Sequence, residues 1–523
     1  MQRSPLVSWL LANISSSVKK EARLRQISSH SRVPLIGRRS FLKATAFGAV
    51  GVASPALLSG CRGMISEKYN VGIIGAGLAG LTTAYYLQKV GIKSTIYESA
   101  GRAGGRVLTV NSSKVKDRYY EAGGEFIDSN HESIKNLCRE LRIRLFDTVE
   151  DIRLNGLAGQ DYLIDGTRYS ADKVLWSFSK AAPQVAADLD SCGEGYDTQD
   201  AIRLDNTSLS DYINSLPMDV WLQQLLIAAY EAEYGLSGTI QSSLNFIDMI
   251  RTDTTKEFSL YGDSDERFRV KGGSSQIVEA LVQRVGNTIQ YKKTLIQVSA
   301  KGKGASLTFN DGSKAHHSAL VIAIPFSVLR EIKLDIPAMS AAKTKCIDTL
   351  SYGNNCKVVL NFSSRPWRRS RSAGYLVSDT IQNGWDTTQG QGNNAGPGLY
   401  TVFLGAEAAN VINFSNRASA DSFAKVTVGI LDSVYNGAMS SYLNGFELAR
   451  WSSNPLSKGS YPAYSIGQWT TISGYEAEPV GNVFFAGDHT SDAFQGYMNG
   501  AVESGVRVSK EIANYIDSIS EEN

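Results

Sequence analysis

The stretch Val71 to Thr109, VGIIGAGLAGLTTAYYLQKVGIKSTIYESAGRAGGRVLT, constrains the fold more than any other part of this chain. Tyr69 to Ile74 is short and apolar, as a strand buried on both faces should be, and Gly75-Ala-Gly77-Leu-Ala-Gly80 then opens a periodic helix over Leu81 to Val90. In such a turn Gly75 permits the tight bend and Gly77 lets the backbone approach a pyrophosphate at the helix N-terminus. Gly80 allows close packing of helix on strand. A second strand, Lys93 to Tyr97, ends at Glu98, eighteen residues after Gly80, where an acceptor can hold ribose hydroxyls. Glycine-rich turns recur by chance, but the next loop narrows the reading. Gly101-Arg102-Ala103-Gly104-Gly105-Arg106-Val107 offers closely spaced N–H groups and two guanidinium groups suited to phosphate. A nicotinamide enzyme does not need this loop, so the pair of motifs predicts an α/β fold with a Rossmann-like FAD-binding domain.

The far end of the chain supplies a second half. Val483-Phe-Phe-Ala-Gly487-Asp488 reads as an apolar strand ending in Gly-Asp. A loop containing Gly496, Tyr497 and Met498 and a helix follow, whose small residues Gly500, Ala501, Ser504 and Gly505 permit close approach. Together the two ends resemble the flavin amine oxidase family, which includes monoamine, polyamine and L-amino acid oxidases. The resemblance runs from about Tyr69 to the C-terminus. It implies a discontinuous FAD-binding domain from 68–130, 266–330 and 476–517, and a mixed α+β substrate-binding domain from 131–265 and 331–475. It also implies that Gly75, Gly77, Gly80, Glu98, Gly105, Arg106, Gly487, Asp488 and Met498 hold FAD, with Val298 near the adenine end.

Composition fits a large enzyme behind a leader. With 523 residues, 42% of them hydrophobic, the chain can build two domains sharing an interface. The net charge of +2 is misleading: residues 1 to 60 hold nine Lys and Arg and one acidic residue, leaving 44 basic and 50 acidic side chains, a net of −6. Nothing in that body suggests nucleic-acid binding. Arg38-Arg39-Ser40-Phe41-Leu42-Lys43 before the uncharged run Ala44 to Gly60 resembles a twin-arginine export signal, which suits a protein exported already folded around a cofactor. Leu58-Ser59-Gly60-Cys61 resembles a lipoprotein processing site, making Cys61 a candidate lipid anchor in residues 1–61; simple cleavage, and a start at Met64, stay open. The expected location is periplasmic, membrane-anchored or secreted. The five cysteines, at 61, 138, 192, 346 and 356, form no CxxC pair and no cluster with histidine, so no metal site is expected.

Between the motifs, Ser133 to Leu141 reads as an amphipathic helix. Residues 145 to 265 read largely as helices, clearest at Ala181 to Leu189 and Val220 to Tyr234, which would cap a substrate cavity. A helix runs to Val285 after Gly272-Gly273, Thr288 to Phe309 alternates as short strands, and Ala319 to Pro325 is a buried strand. Gln382 to Gly398, QNGWDTTQGQGNNAGPG, reads as a mobile loop.

Three separate places should supply the reactive centre. Lys357 lies in the strand Asn355 to Phe362, and alternation alone leaves it open as a solvent-facing lysine. The surrounding Tyr352-Gly-Asn-Asn-Cys-Lys357 and Arg365-Pro-Trp367 are similar to the family's lysine strand, whose lysine holds a water at flavin N5. Tyr461 and Tyr497, read alone, are two core tyrosines. The resemblance makes them an aromatic cage that excludes water and steers the amine. Trp451 resembles the family tryptophan beside the flavin. Ser460 stands where mitochondrial monoamine oxidases carry their flavin-linked cysteine, so FAD is expected to be non-covalent.

The implied reaction is hydride transfer from an amine-bearing carbon to flavin N5, with O2 reduced to H2O2 and ammonia released. Many L-amino acid oxidases place a carboxylate-clamping arginine after the Gly-Gly turn; here Gly123-Gly124-Glu125-Phe126 puts phenylalanine there, and Tyr497 replaces a frequent tryptophan. A clamp could arise from Arg251 or Arg365. Glu125 could face the second ammonium of a diamine or of a basic amino acid, or cap the following helix. The resemblance to exported bacterial members leans toward an L-amino acid, with a monoamine or polyamine oxidase as the alternative and a desaturase or protoporphyrinogen-type enzyme more remote. A homodimer is left open.

Overall fold

Five short strands form one fully parallel sheet in the order Ile289–Tyr291, Ser94–Glu98, Val71–Ile74, Ala319–Ile322, Val483–Phe485. The computed structural model describes residues 69–521 apart from 303, 393, 395 and 411–416. The expected leader, with its arginine pair, Cys61 and Met64, lies outside the described residues. Val71–Ile74 and Ala319–Ile322 are buried at every position, as continuous apolar runs are when helices cover both faces of a parallel sheet. Leu78–Lys89 packs on this sheet with the C-terminal helix Met498–Glu521 and with Ser275–Val285 against it. Gly80 makes the packing close, since a Cβ there would sit 2.1 Å from the Gly75 carbonyl oxygen.

A seven-stranded mixed sheet forms the second layer, in the order Tyr442–Arg450, Asn355–Phe362, Gly398–Gly405, Gln382–Asp386, Ser372–Ser378, Ala158–Ile164, Thr167–Tyr169. The fold is thus α/β, a fully parallel sheet layered with helices beside a mixed seven-stranded sheet. Helices including Val220–Tyr234 cover the second sheet. A small sheet of Phe126–Ile127, Phe268–Val270 and Leu145–Asp147 is antiparallel throughout. Among the described residues no helix is long and apolar enough to cross a membrane.

Two sequence expectations are corrected. The mobile loop at Gln382 to Gly398 begins instead as a strand buried at all five positions, Gln382–Asp386, paired on both sides. Its polar side chains are satisfied by tertiary partners: Gln382 accepts from the Gly405 N–H at 2.7 Å and Asn383 donates to the Tyr261 hydroxyl at 2.8 Å. The largely helical stretch also contains a β-hairpin, Ala158–Ile164 with Thr167–Tyr169, turned by Asp165 and Gly166, both at positive φ.

Candidate active site

A cavity of about 720 Å³ opens where the parallel strands end and extends to the seven-stranded sheet. Its position outside the carboxyl ends of the strands is where open α/β sheets bind ligands. Gly75, at φ +99°, turns the chain from the first strand into the helix. No side chain caps the helix at Gly77, so the first-turn N–H groups stay available on the wall formed by Gly77, Leu78 and Ala79. A Cβ at Gly77 would meet nothing within 4 Å: it would project into open space. The second glycine loop lies alongside, with Gly104 bridging to Gly77 and its N–H donating to the Ala76 carbonyl at 2.8 Å. Glu98 is at the strand end, its carboxylate accepting from the Ala76 and Ala100 N–H groups at 2.8 and 2.7 Å. This uncapped helix, glycine cradle and carboxylate fit a dinucleotide.

The arginines of this loop both line the cavity and also make contacts within the protein. Arg106 makes a two-point pair with Asp488, at 3.0 and 2.5 Å, and donates to the Ser460 carbonyl at 2.6 Å. It thereby ties the first glycine-rich segment to the closing motif. Burial, the largest single influence, would raise the Asp488 carboxyl, but Arg106 and His489 together outweigh it and hold the group at about 2. Arg102 folds onto its own loop, donating to the Ala103 and Gly105 carbonyls. Gly105, Gly487 and Met498 line the cavity. Val298 does not. A register shift between Leu295 and Gln297 turns it into the core with no exposure, and Thr294, Leu295 and Ile296 line the wall instead.

Lys357 comes from the Asn355–Phe362 strand, buried at all eight positions, which removes the solvent-facing reading. Its ammonium donates to the Glu121 carbonyl at 3.1 Å, the Gly123 carbonyl at 2.9 Å and Glu125 Oε2 at 2.8 Å. An ammonium has three donors, and all three are used. Glu125 lines the cavity wall but spends one carboxylate oxygen on this ammonium, and it caps no helix. Its second oxygen accepts from the Trp385 indole N–H at 3.1 Å and stands 3.4 Å from Arg269. Phe126 lines the cavity beneath the Arg269 guanidinium, 4.5 Å from its ring centre, and meets Trp385 edge to face.

Tyr461 and Tyr497 both line the cavity. The Tyr461 hydroxyl donates to the Glu233 carbonyl, which fixes its ring. Burial pushes both phenols well above the ordinary range, so they stay protonated. Trp451 is anchored by its indole N–H to the Ala122 carbonyl at 2.8 Å, and the Ser460 hydroxyl to Asn355 at 2.5 Å.

Three carboxyls line the substrate end that the sequence reading missed. Burial, then the charge of Asp128, lifts Glu233 to about 7. Burial, then Asp128 and Glu233, lifts Glu266 to about 8. Burial raises Asp128 to about 6. Among the described residues neither glutamate has a salt-bridge partner. Tyr234, Tyr375, Trp385 and Phe403 supply aromatic wall. The available signal was the pair Glu231 and Glu233 near the end of the largely apolar helix VWLQQLLIAAYEAEY, of which Glu233 lines the cavity. Neither arginine suggested as a carboxylate clamp lines the cavity: Arg251 pairs with Asp263 at 2.7 Å, and Arg365 is buried beside Asp386.

Residues 78–513 match the protein family described as flavin containing amine oxidoreductase. The chain is 24% identical over 464 residues to "Putative L-amino-acid oxidase YobN" of Bacillus subtilis (strain 168), covering 84% of this chain and 94% of that protein. It is 23% identical over 468 residues to amine oxidase [flavin-containing] A of Sus scrofa, covering 86% of each. A solved structure of putrescine oxidase bound to putrescine superposes with a TM-score of 0.71 at 19% identity, covering 85% of this chain and 99% of that one.

Proposed function

Because this chain belongs to the flavin-containing amine oxidoreductase family, we propose that it is an FAD-dependent oxidase of primary amines that carry a second cationic group. The observation that carries the substrate half is the charge of the cavity's far end, where Asp128, Glu233 and Glu266 line the wall. An amino acid carboxylate would meet three carboxyl groups there. The two arginines that line the cavity, Arg102 and Arg106, belong to the glycine loop and are already engaged. This departs from the lean toward an L-amino acid. Likeness to the Bacillus subtilis protein supports that second reading, which the same assay tests.

For the cofactor, the first-turn N–H groups beside Gly77 would hold a pyrophosphate and Glu98 a ribose hydroxyl. Among the described residues no cysteine lines the cavity, which supports non-covalent FAD. When bound, the flavin would supply the acceptor for a hydride equivalent from the amine-bearing carbon, the two electrons then going with two protons to O2 to give H2O2. The protein's share is placement and solvent exclusion. Tyr461 and Tyr497 flank the reacting amine, and the aromatic wall favours its neutral form, whose lone pair assists C–H cleavage. Glu233 and Glu266 hold the second ammonium, ionising as it enters, and so fix which carbon faces the ring. Lys357 lies on the wall as a buried cation. The product imine hydrolyses to a carbonyl compound and ammonia.

Peroxide formation from a matched trio, a diamine, the monoamine of equal length and the corresponding L-amino acid, tests this. The diamine should have a kcat/KM roughly tenfold or more above the monoamine, about one charge-assisted contact. Faster turnover of the amino acid would overturn the substrate half.

A further inference from the structure

Resting on that reading, we propose that Glu125 is a positioning residue that holds two different working parts of the site at once: the Lys357 ammonium and the Trp385 indole. The two come from neighbouring regions of one sheet, the Asn355–Phe362 strand and the Gln382–Asp386 strand, separated by Gly398–Gly405. Glu125 reaches them from outside that sheet, two residues after Gly123. A Cβ at Gly123 would sit 1.7 Å from the Arg106 carbonyl oxygen, so the turn carrying Glu125 has no room to shift. One oxygen, Oε2, takes the ammonium at 2.8 Å; the other, Oε1, takes the indole N–H at 3.1 Å. Arg269 sets the carboxylate from behind, at 3.4 Å, and is itself fixed by the Asp386 and Thr387 carbonyls at 3.0 Å each. Glu125 is 6% exposed and Lys357 7%, so neither group has water as a ready substitute partner.

The consequence is a coupling between the lysine and the substrate wall. Lys357 has spent its three donors on Glu121, Gly123 and Glu125. Any service to oxygen or to a water must come from a cation held in this fixed place. Trp385 lines the substrate end, and its indole is held at that one N–H. The charge neighbours are defined: Glu121, lifted by burial to about 7, and Tyr119 on the Tyr119–Glu121 strand, and Arg269 on Phe268–Val270.

Glu125→Gln tests the coupling because an amide has one acceptor oxygen where the carboxylate has two. Whichever way it turns, its NH2 faces either the ammonium or the indole N–H. Lys357→Met should slow reoxidation of the reduced enzyme by O2 in single-turnover mixing, and Trp385→Phe should raise the steady-state KM for the amine. Glu125→Gln should move at least one of these constants by about tenfold. Reoxidation in Glu125→Gln/Lys357→Met should be no slower than in Lys357→Met alone. KM in Glu125→Gln/Trp385→Phe should be no higher than in Trp385→Phe alone. A readout independent of turnover is the melting of the FAD-free protein: Glu125→Gln should lower Tm more than the double variant with Lys357→Met, since it leaves a buried ammonium short of its counter-charge. Additive effects in both pairs, or constants that Glu125→Gln leaves unchanged, would overturn the positioning role. If Lys357→Met and Trp385→Phe themselves change nothing, it is the proposed site that fails.

Discussion

Gly77→Ala separates cofactor binding from folding more sharply than any other single change in this chain. Gly77 has φ −70°, an ordinary value for any residue, and its Cβ would touch nothing within 4 Å. The FAD-free variant should therefore melt close to the parent, within the roughly 0.5–1 kcal/mol that alanine costs at a helix N-cap. The added methyl stands on the wall that a pyrophosphate must approach. Pushing the anion from the Leu78 and Ala79 N–H groups forfeits two charge-assisted hydrogen bonds of about 1.5–3 kcal/mol each. The total of about 3–6 kcal/mol corresponds to roughly 10²–10⁴ in Kd. Gly80→Ala should behave oppositely: its Cβ falls 2.1 Å from the Gly75 carbonyl oxygen, so helix and turn must separate and the FAD-free protein should lose about 1–3 kcal/mol or more. FAD titration followed by fluorescence, with thermal melts of both FAD-free variants, reads the two effects. FAD binding to Gly77→Ala within threefold of the parent would refute the placement of the pyrophosphate.

Three further outcomes are expected. Glu233 and Glu266 have folded values near 7 and 8, above the ordinary 4.5; the stability they contribute is present below 4.5 and lost as pH rises through 7 and 8. The substrate-free enzyme should melt lower at pH 9 than at pH 6, and a diamine should restore more at pH 9; equal melting at both pH values would count against it. Glu233→Gln should raise KM for a diamine by about tenfold and leave a monoamine within about twofold, measured by peroxide release. Asp488, depressed from 3.8 to about 2, contributes roughly 2 kcal/mol that is present above pH 4 and lost as pH falls through 2. Asp488→Asn should flatten that acid dependence in denaturant melts.

The parallel sheet was legible because its cues are local: an apolar strand, three glycines at fixed spacing, and an acid at the end of the next strand. Lys357 was legible as a strand residue, but not its partners, which lie 232 to 236 residues away in the chain. The Gln382–Asp386 strand was hidden by composition, since Gln, Asn, Gly and Asp disfavour strands until tertiary hydrogen bonds satisfy them. Val298 was misplaced by a bulge that alternation cannot reveal, as one extra residue reverses which side chains face the cavity. Glu125 was noticed for its charge, yet its role depends on Trp385 and Arg269 converging from two strands that the sequence places far apart. The acidic chamber was missed because Glu233 ends a helix whose apolar pattern argued only for packing.

Anaerobic mixing of the yellow holoprotein with separate panels of diamines, monoamines and L-amino acids, following loss of flavin absorbance, tests the central claim most directly. Fast bleaching by diamines, slower bleaching by monoamines and none by L-amino acids is the predicted result. Bleaching by L-amino acids alone would contradict it and would require a carboxylate-binding group in a chamber lined by Asp128, Glu233 and Glu266.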